Sequence, residues 1–160
     1  MVALIVGIII YFSPRKRMIK SSAYITLPVL SLYLSFVATI TIFSRIPTQN
    51  AQYNLMLFWS YRAIVSGQSN LFAQVFWNIV LFIPIGILLM MLLKCKHKLF
   101  FSVAASLYLS STIELIQLIT HRGLFEFDDI IHNTLGAFIG AVIYVFISSI
   151  ININNKCSNY

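Results

Sequence analysis

A chain of 160 residues that is 59% hydrophobic and 9% charged, with a mean hydropathy of +0.89, has too little polar surface to cover a water-soluble globule. Eleven Lys and Arg against four Asp and Glu give a charge of +7. These basic residues fall in short clusters beside apolar segments, so they read as topology signals and anionic-lipid contacts, not as a nucleic-acid surface. The expectation is an all-α integral membrane bundle of about five transmembrane helices. At this length residues 1–160 form a single membrane domain, with no room for a second, soluble catalytic one.

The opening run, Val2 to Phe12, lacks a preceding basic stretch and a small-residue cleavage site, and Arg15, Lys16, Arg17 and Lys20 follow it. It reads as an uncleaved anchor, although its apolar part spans only about 18 Å against a hydrocarbon core of about 30 Å. The second segment, Ala23 to Phe43, carries Pro28 and scattered Ser and Thr. Ser44 to Leu71 is the longest polar-leaning connection, and its aromatic-rich middle, Tyr53 to Tyr61, is expected to lie against the headgroups.

Segment three runs from about Phe72 to Leu93, with Asn78 near its start and Pro84 and Gly86 in its middle, where a kink is expected. The basic loop Lys94 to Lys98 turns the chain into segment four, Leu99 to Thr120, and segment five runs from Ile130 to Ile151. Four basic residues follow segment one, three lie in Lys94 to Lys98 and one is in the tail, whereas the other side has only Arg45, Arg62 and Arg122. The positive-inside rule then puts the N-terminus out and the C-terminus in. Cys95 and Cys157 both fall on the cytoplasmic side, where thiols stay reduced and no disulfide is expected.

All four carboxylates, Glu114, Glu126, Asp128 and Asp129, lie within sixteen positions of one another, at the outward end of this topology. Helical spacing aligns Ser102, Ser106, Ser110, Glu114, Gln117 and His121 in one stripe, which must face protein rather than lipid. In segment five, Asp129, Asn133, Gly136 and Gly140 follow the same spacing, and Gly136 and Gly140 form a small-residue packing motif. Asn78, Glu114, Gln117, Asp129, His132 and Asn133 all fall within about two turns of the outer surface. They are expected to share a pocket, with Arg122, and Arg45 or Arg62, pairing some of the carboxylates.

An intramembrane carboxylate such as Glu114 is costly and defaults to a functional reading; the plain alternative is a structural pair with Arg122 or a bond to Asn78. Asp128 and Asp129 precede an apolar helix, so one is expected to cap it while the other stays free to bind or act as base. Glu126 reads as a solvated loop residue. His121 and His132 with these acids supply metal-ligating types, but the spacing matches no compact motif; no metal and no cofactor is expected.

Asn78 to Gly86, then Glu114-Leu115-Ile116-Gln117, then Arg122, Phe127 to Gly136 and Gly140 resemble the VanZ-like family of bacterial membrane proteins, over about residues 54–145. Leu57 stands where that family tends to have proline, and Glu126 where it often has Asp. The resemblance implies a small helical protein of the bacterial cytoplasmic membrane, associated with resistance to the glycopeptide teicoplanin, with no established reaction. It would carry the family's pattern onto Asn78, Pro84, Gly86, Glu114, Gln117, Arg122, Asp128, Asp129, Asn133 and Gly136. The leading expectation is a non-enzymatic pocket for a membrane lipid, a lipid-linked cell-wall precursor or the glycopeptide itself. The rivals are a membrane-embedded enzyme with Glu114 or Asp129 as general base, and a proton-coupled transporter using Glu114 as carrier.

Overall fold

The structure, a computed structural model, describes residues 23–157, so the expected anchor Val2 to Phe12 lies outside the described residues. In chain order it contains α1 (Ala23–Ala38), a π-helical turn (Thr39–Phe43), β1 (Gln52–Asn54), α2 (Trp59–Val65), α3 (Asn70–Leu92), α4 (Lys98–Thr120), β2 (Leu124–Glu126) and α5 (Phe127–Cys157). Four spans, Ala23–Phe43, Asn70–Leu92, Lys98–Thr120 and Phe127–Ile151, are long and apolar enough to cross a membrane.

The hydrophobic pattern is that of a bundle with lipid outside. Leu30, Leu34 and Val37 of α1 meet Phe82, Ile85 and Leu89 of α3, Ile113 of α4 and Ala137 of α5 in one buried cluster. Large apolar side chains such as Ile25, Leu32, Phe72, Tyr108 and Phe146 point outward. Pro84 lies inside α3, which runs unbroken through it. Its ring leaves the carbonyl of Val80 without an amide donor, and one residue on, the Tyr33 hydroxyl of α1 donates to the Leu81 carbonyl at 2.9 Å.

The closest packing joins α3 and α5, and here the glycines act as a reciprocal set. A Cβ on Gly136 would land on the Ile79 carbonyl oxygen, one on Gly140 on that of Ile83, and one on Gly86 on that of Ala137. Each helix therefore supplies glycine where the other presents backbone. The small-residue motif is consumed within the chain, holding α5 against α3.

α4 ends in a Schellman turn: His121 is left-handed (φ 55°), its N–H bonds the Leu118 carbonyl, and the Arg122 N–H bonds that of Gln117 at 2.9 Å. The chain then returns through β2, which pairs in parallel with β1 in the register Gln52 to Leu124, Tyr53 to Phe125 and Asn54 to Glu126. The Thr48 N–H adds a bond to the His121 carbonyl at 2.8 Å. The long connection expected to rest on the headgroups is thus stitched to the α4–α5 connection, while Tyr53, Met56 and Phe58 remain exposed on its outer side.

Candidate functional site

α4, β2 and α5 bring all four carboxylates to one end of the bundle, and none is more than 5% exposed: Glu114 2%, Glu126 3%, Asp128 1% and Asp129 5%. Each is buried by a different arrangement. Glu114, on the serine stripe of α4, accepts the Glu126 backbone N–H at 3.0 Å, so the helix reaches across to fix β2. Ser102, Ser106, Ser110, Glu114 and Gln117 are all buried on that stripe, whereas His121, in the left-handed turn, is half-buried at its end.

Glu126 is a correction to the sequence reading. It is a buried member of the cluster, not a solvated loop residue, because β2 pairing and the Glu114 bond draw its backbone inward. Its Oε2 accepts the Gln74 amide at 2.6 Å, and the Trp59 indole stands beside the carboxyl, although neither Trp59 Nε1 nor Glu126 Oε1 makes a hydrogen bond of ordinary geometry. Burial first, then the neighbouring Asp129 charge, push its carboxyl from the ordinary 4.5 up to about 7, against the pull of the Gln74 hydrogen bond.

Asp128 caps a helix other than its own. Its Oδ1 accepts the Phe58 N–H at 2.6 Å, and its Oδ2 accepts the Ser60 N–H at 3.0 Å and the Ser60 hydroxyl at 2.6 Å. Phe58, at the N-cap of α2, is left-handed (φ 59°) and has no cap bond of its own side chain. One carboxylate from α5 thereby takes up two of the free N–H groups at the start of α2 and pins the aromatic loop over the site, while both aspartates still favour the positive end of the α5 dipole.

Asp129 is the second of the pair. Its oxygens lie 3.3 and 3.4 Å from the Gln74 amide nitrogen, and the Asn78 side chain stands beside it, although Asn78 Nδ2 makes no hydrogen bond of ordinary geometry. His132, one turn on, is 1% exposed; its Nε2 pairs with the Tyr61 hydroxyl at 2.9 Å and its Nδ1 has no partner. Asn133 donates to the Ser110 hydroxyl at 2.9 Å, which ties α5 to α4 one turn below the Asp129 and Glu114 level, and leaves its Oδ1 unbonded.

The cations are placed differently from the expectation. Arg122 spends its guanidinium on the carbonyls of Phe43 and Arg45, at 3.3 and 3.1 Å, and Gln117 donates to the Thr41 carbonyl at 2.8 Å. These two side chains close the C-terminal end of the π-helical turn that continues α1, where free carbonyls and the helix dipole favour donors and positive charge. It is Arg45 whose charge reaches both Glu114 and Asp129. Its guanidinium crosses Gly123, where any Cβ would collide with it. Among the described residues no group of three or more His, Cys, Asp or Glu is arranged to hold a metal ion.

Sequence reasoning missed Gln74, Ser60 and Tyr61 as members of this site. Gln74 and Ser60 carry no charge, and Tyr61 was one aromatic among many. Gln74 had one available signal: it stands four residues before Asn78, on the same face of α3.

The fold and this polar end define a multi-pass helical membrane protein with a buried, acid-rich cluster at one end of the bundle. The chain belongs to the VanZ-like family: the family model VanZ/LLP1 matches residues 1–148, nearly its whole length and a wider stretch than the motifs alone. Among curated proteins and solved structures, none matches it.

Proposed function

We propose that this VanZ-like protein of the bacterial cytoplasmic membrane acts as a single membrane domain whose acid-rich cluster faces outward. There it engages the polar headgroup of a lipid or lipid-linked cell-wall precursor, or the glycopeptide itself, and so contributes to teicoplanin resistance. The observation that carries this reading is an excess of buried acidic side chains over basic ones. Glu114, Glu126 and Asp129 lie within electrostatic reach of one another, are nearly sealed from water, and have Arg45 as the nearby cation. A fold gains little stability from such a group and usually places it for function.

The unbonded polar atoms around it, His132 Nδ1, Asn133 Oδ1 and Gln117 Oε1, are hydrogen-bonding capacity that a hydroxyl- or amide-rich headgroup would use. The outward orientation rests on the basic loops, with Lys94 to Lys98 at the opposite end of α3 and α4. Resistance itself rests on the family.

The test is teicoplanin susceptibility of a sensitive Gram-positive host expressing wild type, Glu114→Gln or Asp129→Asn at matched membrane levels. Protection by wild type and its loss in both isosteric amides supports the proposal. Equal protection by all three makes the carboxylates structural.

A second reading, an enzyme acting on a lipid-linked substrate with Glu114 or Asp129 as general base, is favoured by one observation. The Gln74 amide lies against both Glu126 and Asp129, at 2.6 and 3.3 Å, so two buried carboxyl groups share one donor, and burial raises that of Glu126 to about 7, the range a proton-exchanging pair needs. Turnover of a purified lipid precursor that disappears in Glu114→Gln would place this reading first.

A further inference from the structure

At the other end of the bundle, the α3–α4 connection forms a shallow depression of about 310 Å³ lined by Leu93, Lys94, Cys95, Lys96 and Lys98. It lies about 24 Å along α4 from Glu114, and the chain has no Asp or Glu before Glu114, so no acid on either helix neutralises these lysines. Lys98 is half-buried, with its ammonium 5.1 Å from the centre of the Tyr144 ring of α5, a cation–π contact that fixes one charge in place. Lys94 and Lys96 are exposed at the rim.

The same depression opens on the start of α4. No side chain caps that terminus and no acid occupies its first turn, so the positive end of the helix dipole adds to the three ammonium groups. Beside them Leu99, Phe100 and Phe101 are exposed by 38%, 69% and 45%. Positive groups therefore border apolar ones at the end of two candidate membrane spans. A free anion would use only the charges; an amphiphile uses both.

We propose that the α3–α4 connection is a binding site for the phosphodiester headgroup of an anionic membrane lipid, held by Lys94, Lys96, Lys98 and the α4 terminus, with its chains along Phe100 and Phe101. It is a second site, remote from the carboxylate cluster and independent of the function proposed for it.

The experiment uses the full chain purified in detergent, offered phosphatidylglycerol, phosphatidylcholine or inorganic phosphate, with retained ligand read by native mass spectrometry. Wild type is expected to hold phosphatidylglycerol in preference to phosphatidylcholine, and K94Q/K96Q/K98Q to hold it at least roughly tenfold less well. R62Q, which removes an exposed charge at the opposite end of the bundle, is expected to retain it. Equal retention by wild type and the loop variant overturns the site.

Cys95, a free thiol in the depression, gives a second readout that leaves the lysines intact. In Cys157→Ser protein in phosphatidylcholine bilayers at high salt, added phosphatidylglycerol should slow maleimide labelling of Cys95 several-fold. An unchanged rate contradicts the proposal, and equal protection by inorganic phosphate alone would make the ligand a free anion and overturn the lipid assignment.

Discussion

The two ends of this bundle carry opposite charge and treat it in opposite ways. At the acid end every carboxylate is buried; two of the four accept from the backbone of another element, Glu114 from β2 and Asp128 from α2, while Glu126 and Asp129 share the Gln74 side chain. At the basic end Lys94 and Lys96 project into solvent and only Lys98 is held, by an aromatic ring. Charge at the first end organises the fold around a site; charge at the second recruits from outside and asks little of the fold. A substitution should therefore cost stability at one end and hardly any at the other.

The largest effect is expected from the seam that joins them. Gly136→Leu drives a side chain into the backbone of α3 at Ile79, which neither helix can move aside locally. The expected loss is more than about 3 kcal/mol, seen as absent folded protein in the membrane. If this variant accumulates and unfolds like wild type, the close approach of α3 and α5 is wrong.

Next is Asp128→Ala, which strips acceptors from Phe58 and Ser60 and leaves α2 uncapped. A loss of about 3 kcal/mol in detergent unfolding is expected, with proteolysis appearing first in the loop before α3. Cleavage appearing elsewhere would deny that this carboxylate pins the loop.

Glu126 gives a pH signature. Its folded carboxyl is raised from 4.5 to about 7, so the folded state holds a proton that the unfolded state has already released across that window. Stability should therefore fall as pH rises from 4.5 to about 7 and level off above, and Glu126→Gln should reduce the slope. A thermal midpoint that rises over the same window would contradict the burial of this group. The smallest effect belongs to the basic end: Lys94→Gln should alter stability by no more than about 0.5 kcal/mol.

Much of this was legible in the sequence, for reasons that differ by region. Segments two, three and four coincide with helices to within a few residues, since uninterrupted apolar runs have one solution in a bilayer. The Ser102 to Gln117 stripe announced a protein-facing surface, and Gly136 and Gly140 a close approach; that Gly86 answers them from α3 was not visible from spacing. α5 starts at Phe127, before the expected Ile130, because its acidic first turn belongs to the helix.

The connections were opaque. β1 and β2 are three residues each, too short for an alternating pattern to show, and their pairing depends on positions far apart in the chain. That pairing buries Glu126, and the folded-back loop brings Phe58 and Ser60 to Asp128. The exchange of Arg122 for Arg45 as the cation near the carboxylates has the same cause: which arginine faces the cluster is set by the turn at His121.

The most direct test of the account is the side of the membrane on which the acid end lies. In intact cells, an impermeant maleimide should label a cysteine placed at exposed Gln68, just before α3, in a Cys157→Ser background, and should leave Cys95 unlabelled until the membrane is opened. That result puts the carboxylates where a headgroup or an extracellular drug would meet them. Labelling of Cys95 in intact cells with position 68 protected would turn the bundle over and contradict the function proposed for its acid-rich end.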